Sequence, residues 1–229
     1  MAEAKFRLRV CYRKIGALRF LSHLETVRAC ERAARRAGLP YAVTKGFNPH
    51  MKVAFGPALP VGTAGEREYY DLWMNGYVPV AEVVAKLAGA AREEIAAIAA
   101  VYVNEKEPSL GAALTIAAYQ VEVEGGKKLD ESLISSLASV LGTGVLAVEH
   151  KGKSKVFELA TALPKEPEVR SVKGRTIVDV TIRIGEHGSL RPDALVNAAL
   201  AHSATDGRVV SVTRTDLLIE DDGDVRRPL

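Results

Sequence analysis

The order in which two hydrophobic periods follow one another constrains this chain more than any other feature. From Lys5 to Lys14 the residues alternate, with Phe6, Leu8, Val10 and Tyr12 on one side and Arg7, Arg9, Cys11 and Arg13 on the other. A period of two is that of a half-buried strand. It predicts that Cys11 points outward. Leu18-Arg19-Phe20-Leu21 is expected to be extended, and a helix begins after Ser22. There Ser22-His23-Leu24-Glu25 fits a capping box, in which hydroxyl and carboxylate each satisfy the other residue's amide. Leu24, Val27, Cys30, Ala34 and Ala37 recur at helical spacing, and Gly38 and Pro40 stop the helix.

The remainder repeats this grammar. Thr44–Lys52 is a loop, Lys52–Phe55 and Glu68–Met74 are strands, Val80–Ala91 is a helix and Ile95–Val103 a strand. The order β-α-β-β-α-β is the split-βαβ, or ferredoxin-like, pattern. Polar Glu105–Gly111, broken by Pro108 and Gly111, sets a boundary. The expected domains are 1–106 and 107–229. In the second, strands are expected over Ala113–Glu124, Leu146–His150, Lys155–Leu163, Thr176–Ile184 and Val209–Ile219. Helices are expected over Asp130–Leu141, capped by Asp130, and Pro192–His202, with Ser189 near its start. The fold class is therefore α+β, two ferredoxin-like units, the second with an extra strand. Glu220–Leu229 reads as a frayed tail.

Charge is divided unevenly. Residues 1–60 hold twelve lysines and arginines against three acids, a net +9, while the other 169 residues carry nineteen against twenty-five, a net −6. That asymmetry points to a polyanion partner for the first third. On the expected helix, Arg28, Arg32, Arg35 and Arg36 lie mostly on the outer face, with only Glu31 placed to pair with Arg35 at i,i+4. The Thr44–Lys52 loop mixes Lys45, Phe47, Asn48, His50 and Lys52. Lysines neutralise phosphates, an aromatic ring stacks on a base, and an amide reads a base edge. Phe47 can equally be a buried anchor. His23, at a helix N-terminus, can contact a phosphate or take part in acid–base chemistry. The candidate RNA-binding set is Arg13, Arg19, His23, Arg28, Arg32, Arg35, Lys45, Phe47, Asn48, His50 and Lys52. A lysine-rich stretch, Lys151–Arg175, adds a local +4 in the second half.

Several classes are excluded or unsupported. No run approaches the roughly 18 apolar residues of a membrane span, and the charged N-terminus has no apolar signal region. The expected location is the cytoplasm, with no membrane partner. Cys11 and Cys30 have no second pair, and the five histidines form no zinc pattern. His187 reads as turn chemistry, and no metal or cofactor is expected. Phosphate-cradling glycine loops and G-x-S-x-G are absent.

Two long segments resemble a known family. Leu18-Arg19-Phe20-Leu21-Ser22-His23-Leu24 with its arginine-rich helix, and Gly46-Phe47-Asn48-Pro49-His50 followed by Ala54–Gly62, are similar to the radical-SAM-linked protein family. These are bacterial proteins of unknown function, encoded beside or fused to the C-terminus of cobalamin-binding radical SAM proteins. Gly188–Pro192 and Val212–Thr215 resemble its C-terminal part, and Met51 stands where the family would have proline. The resemblance implies a radical SAM enzyme as partner. This chain lacks C-x-x-x-C-x-x-C and is not that enzyme. The expected function is a non-catalytic RNA-binding accessory protein that presents a tRNA or rRNA to the partner. Two alternatives are a metal-independent endoribonuclease using His23 or His50, and a protein-only adaptor for the partner.

Overall fold

The computed structural model describes residues 6–150, 152–185, 188–221 and 223–229, with the side chains of His150 and Lys153 left aside. Lys151 and His187 of the sequence reading lie outside it. The chain divides into two compact units, Met1–Leu114 with Val225–Leu229, and Thr115–Asp224.

In the first unit β1 (Phe6–Lys14) leads through a 3-10 turn, Gly16–Phe20, into α1 (His23–Arg36). Then come β2 (Val53–Phe55), β3 (Ala64–Met74), α2 (Val80–Ala90), β4 (Ala97–Val103) and a single helical turn, α3 (Leu110–Ala113). The strands pair antiparallel in the order β4-β1-β3-β2. That arrangement follows from the βαββαβ order, because each helix must carry the chain back over one face before the next strand can pair. Leu8, Val10, Tyr12, Tyr70, Leu72 and Met74 form the face that meets Cys30, Ala33 and Ala34 of α1 and Val83 and Leu87 of α2.

The second unit repeats the plan with an insertion. β5 (Ile116–Gly125) and α4 (Leu129–Gly142) come first. A separate hairpin follows, β6 (Val145–His150) with β7 (Lys153–Glu158), and then the turn α5 (Leu159–Ala162). β8 (Glu168–Val172), β9 (Arg175–Arg183), α6 (Pro192–Ala201) and β10 (Gly207–Asp221) complete it. β10-β5-β9-β8 is again an antiparallel 4-1-3-2 order. Leu133 and Leu137 of α4 and Leu195 and Val196 of α6 pack on Val121, Val178, Val180 and Ile182. The expected extra strand is thus part of an inserted hairpin, and β8 replaces it in the sheet.

Local corrections have local causes. Leu18–Leu21 is not extended: Gly16 takes φ +58°, and Leu18 and Leu21 donate to Ile15 O and Leu18 O, closing 3-10 turns. Asp130 does not cap α4, whose N-cap is Lys128 in the left-handed region; Asp130 instead accepts from the Thr176 hydroxyl. Ser189 is not a cap either, since Arg191 occupies that position with Pro192 behind it. The tail is not frayed, for β10 runs to Asp221 and Asp224–Arg226 forms β11.

The largest departure concerns β1. Its second face is as buried as its first: Arg7, Arg9 and Cys11 are all under 5% exposed. Both arginines converge on Asp71 of β3, which lies directly opposite Arg9. Arg7 donates through Nε (2.9 Å) and Nη2 (2.6 Å), and Arg9 through Nε (2.9 Å) and Nη2 (3.2 Å). Arg7 also donates to the carbonyls of Glu107 (2.7 Å) and Pro108 (2.9 Å), which ties the post-β4 segment to this unit. Lys14 is buried as well, donating to Leu21 O at 2.7 Å. Cys11 and Cys30 are buried and form no disulfide.

Candidate nucleic-acid interface

The loop that mixes lysine, phenylalanine and histidine is a braced arm. Past α1, Gly38 turns the chain at φ +63° and Leu39 is buried. Ala42 N donates to Trp73 O (2.7 Å), Trp73 N to Lys52 O (3.1 Å) and Lys52 N to Ala42 O (2.8 Å). Val43 bridges Met51, whose side chain is buried in the core. Higher up, Thr44 N donates to His50 O (2.8 Å), and His50 N to the Thr44 hydroxyl (3.1 Å). Every residue from Lys45 to His50 is exposed, and Phe47 is fully so, at 108% relative exposure. Phe47 is therefore not the buried anchor that the sequence also allowed. Leaving a phenylalanine in water forgoes about 1.5–3 kcal/mol of burial.

The outer face of α1 is the second component. The capping box is formed: Ser22 N donates to Glu25 Oε2 (2.8 Å) and Glu25 N to Ser22 Oγ (3.4 Å). The Ser22 amide holds the Glu25 carboxyl below the usual carboxylate range. Thr26, Cys30, Ala33 and Ala34 face inward, and Leu24, Arg28, Arg32 and Arg36 form an exposed row at i+4 spacing. Arg35 pairs with Glu31 at 3.5 Å as expected. Among the described residues Arg28, Arg32 and Arg36 enter no ion pair.

At the start of α1, His23 is exposed and stands edge-on to Phe55, 5.8 Å between centroids, with Phe55 stacked on Tyr70 at 5.1 Å. The cleft between His23, Thr26, Phe55 and Leu59 has a free volume of about 10 Å³, room for one water and no base. The Arg19 guanidinium lies 4.9 Å from the Phe20 ring centroid, and that ring is 58% exposed.

The predicted residues thus fall into groups. Lys45, Phe47, Asn48 and His50 share the arm tip, Arg28 and Arg32 share the α1 row, and Arg19 and His23 flank the helix start. Lys52 stands apart. Its ammonium lies 4.8 Å from the Trp73 ring, on the face of β3 that also receives Arg7 and therefore opposite α1. Arg13 is half-buried near the end of β1. Leu24, which the sequence placed on the apolar stripe facing the core, is instead 65% exposed, because it lies on the side of α1 away from Cys30 and Ala34, and neither it nor Phe20 nor Arg36 was singled out from the sequence as a site residue.

The second unit spends its cations differently. Lys165 pairs with Glu168, Arg170 with Asp179, Arg175 with Glu122, and Arg208 with Glu124. Its cavity of about 750 Å³ is lined by Glu122, Glu124, Asp130, Lys128, Lys173 and Arg175, a mixture that selects neither sign of ligand. Among the described residues no group of histidine, cysteine and carboxylate side chains is placed to hold a metal. No helix among them is long and apolar enough to cross a membrane.

A family model described as "Uncharacterized protein conserved in bacteria (DUF2344)" matches residues 7–192. No curated protein matches the chain. Among solved structures, a chain of "Crystal Structure of a Cbf5-Nop10-Gar1 Complex" superposes with a TM-score of 0.51 at 12% identity. The superposition covers 92% of this chain and 48% of the other, so this chain spans about half its length. At that identity the likeness is one of fold.

Proposed function

The chain belongs to this uncharacterized bacterial family, DUF2344, and from that premise we propose that it is a non-catalytic RNA-binding accessory protein. It presents a structured RNA, a tRNA or rRNA, to a radical SAM modification enzyme. One observation carries the RNA reading: a braced arm holds the Phe47 ring wholly in water among Lys45, Asn48 and His50. Stacking on a base supplies the partner surface such a ring lacks within the fold. The α1 arginines that enter no ion pair among the described residues supply the phosphate contacts, and the motif resemblance supports the radical SAM partner.

The test is fluorescence anisotropy with labelled tRNA and rRNA fragments across a salt series. Phe47→Ala should weaken binding by about 1–3 kcal/mol while leaving the salt slope nearly unchanged, as expected when a stacking contact and no phosphate contact is lost. Wild-type affinity in that variant would refute the stacking role. The endoribonuclease alternative rests on His23 and His50, both of which are exposed. Cleavage of the labelled RNA in EDTA, abolished by His23→Ala or His50→Ala, would install it instead. Co-purification with the neighbouring radical SAM protein tests the partner.

A further inference from the structure

We propose that the ligand is an unpaired strand laid along the outer ridge of α1, and that Phe20, Leu24 and Arg36 belong to the site with Arg28 and Arg32. This rests on the RNA reading above and names the form of RNA. The ridge on α1 is a series of four-residue steps, Leu24, Arg28, Arg32 and Arg36, and Phe20 lies before the helix, at the end of the 3-10 turn and separated from α1 by extended Leu21 and Ser22. Phe20 and Leu24 are large apolar side chains left 58% and 65% exposed, and Arg28, Arg32 and Arg36 have no ion-pair partners among the described residues.

Helical rise spaces the three arginines about 6 Å apart along the axis, and Leu24 lies about 18 Å from Arg36. That pitch suits neighbouring phosphates along one strand, paired or unpaired, so the choice between the two falls to the exposed rings. A row at that pitch follows one backbone. In the 3-10 turn that precedes the helix, Arg19 lies over the Phe20 ring, a guanidinium–aromatic pair of the kind on which a splayed base stacks. Beyond the other end, the root of the arm begins at Tyr41, five residues after Arg36, and the arm offers Phe47. Both rings require bases that are already out of a duplex stack. Inserting them between paired bases costs a few kcal/mol per step. The major groove of A-form RNA is too deep and narrow for side chains to read.

The experiment compares three labelled RNAs with the full chain at one salt concentration: an unstructured strand of about 12 nucleotides, a blunt duplex of the same length, and a stem whose loop carries that strand. The strand and the stem-loop should bind at least tenfold more tightly than the duplex. Arg28→Ala/Arg32→Ala/Arg36→Ala should flatten the log K against log salt slope for the strand by about 2, near 0.7 for each phosphate lost. Alanine is the better helix former, so α1 is retained in this variant. Phe20→Ala should weaken the strand about 5- to 150-fold and leave the duplex unchanged.

A duplex bound as tightly as the strand would overturn the inference and leave the RNA reading standing. Failure to bind any of the three would overturn both. Equal binding of a poly-glutamate peptide of similar length, insensitive to Phe20→Ala, would mark the ridge as an unselective polyanion surface and overturn the inference.

Discussion

Replacing Asp71 with asparagine should damage the first unit more than any surface change. The Asp71 carboxylate is fully buried and accepts four N–H bonds, two each from Arg7 and Arg9. One anion therefore holds two guanidiniums that are themselves out of water, at 4% and 2% exposure. Asparagine keeps the shape but removes the charge and turns part of the acceptor surface into a donor facing donors. Removing one partner of a buried pair costs about 3–5 kcal/mol, because the survivor stays buried and uncompensated. Two survivors place this variant toward the upper part of that range. With a urea m-value near 2 kcal/mol/M, a loss of 4 kcal/mol moves the midpoint down by about 2 M. Trp73 is the only tryptophan and stands 5.4 Å from the Arg7 guanidinium, so its fluorescence follows the unfolding of this unit. Replacing all three charges with apolar residues of similar volume should cost far less, since no ion is then left without its counterpart. A midpoint for Asp71→Asn within about 0.5 M of wild type would refute the account of the network.

Two further outcomes follow from packing. A Cβ added at Gly65 would lie 2.6 Å from Glu68 Oε1 and 2.7 Å from Leu59 Cδ1, so Gly65→Ala should destabilise by about 1–3 kcal/mol in the same urea assay. Burial pushes the Cys30 thiol up to about 12, and Cys11 is fully enclosed, so Ellman's reagent at pH 8 should titrate neither until urea unfolds the chain. Fast modification of the native protein would contradict the placement of both.

The elements legible in the sequence were those whose signal is local. The capping box, the small apolar positions Cys30 and Ala34, and the Gly38–Pro40 stop located α1 nearly to the residue, while Leu24, read as part of the buried stripe, proved exposed. Alternation located β1, β9 and most of β10. β8 escaped notice because it lies at the end of its sheet and is exposed nearly throughout, which leaves no apolar period to read. The polar side of β1 misled for a different reason. Alternation separates two faces but does not say that the polar one meets water, and the partner that neutralises Arg7 and Arg9 sits more than sixty residues away. Hence three cations of the N-terminal excess, Arg7, Arg9 and Lys14, are structural. The arm tip was legible as a loop of suitable chemistry. The full exposure of Phe47 was not, because it depends on Val43–Met51 bridging and on Met51 anchoring the root.

What remains of the basic excess is more informative after this subtraction than before it. Arg28–Arg32 and Arg32–Arg36 are like-charge i,i+4 neighbours, each destabilising α1 by a few tenths of a kcal/mol. Acid in place of Arg32 would turn both into attractive pairs, as Glu31 does for Arg35 on the same helix. The second unit shows the alternative in practice, with Arg170, Arg175 and Arg208 each set against a carboxylate. The repulsion along the α1 row is offset only in part, by Glu25 near Arg28 and by the place of Arg36 in the last turn of the helix, and among the described residues the row enters no ion pair. A polyanion docked on that ridge reverses the sign, because each phosphate neutralises an arginine and relieves its repulsion with the next. Bound RNA should then raise the stability of α1, seen as slower amide exchange from Arg28 to Arg36, and the protection should fade as salt is added. Unchanged exchange at saturating RNA would place the bound strand elsewhere on the molecule.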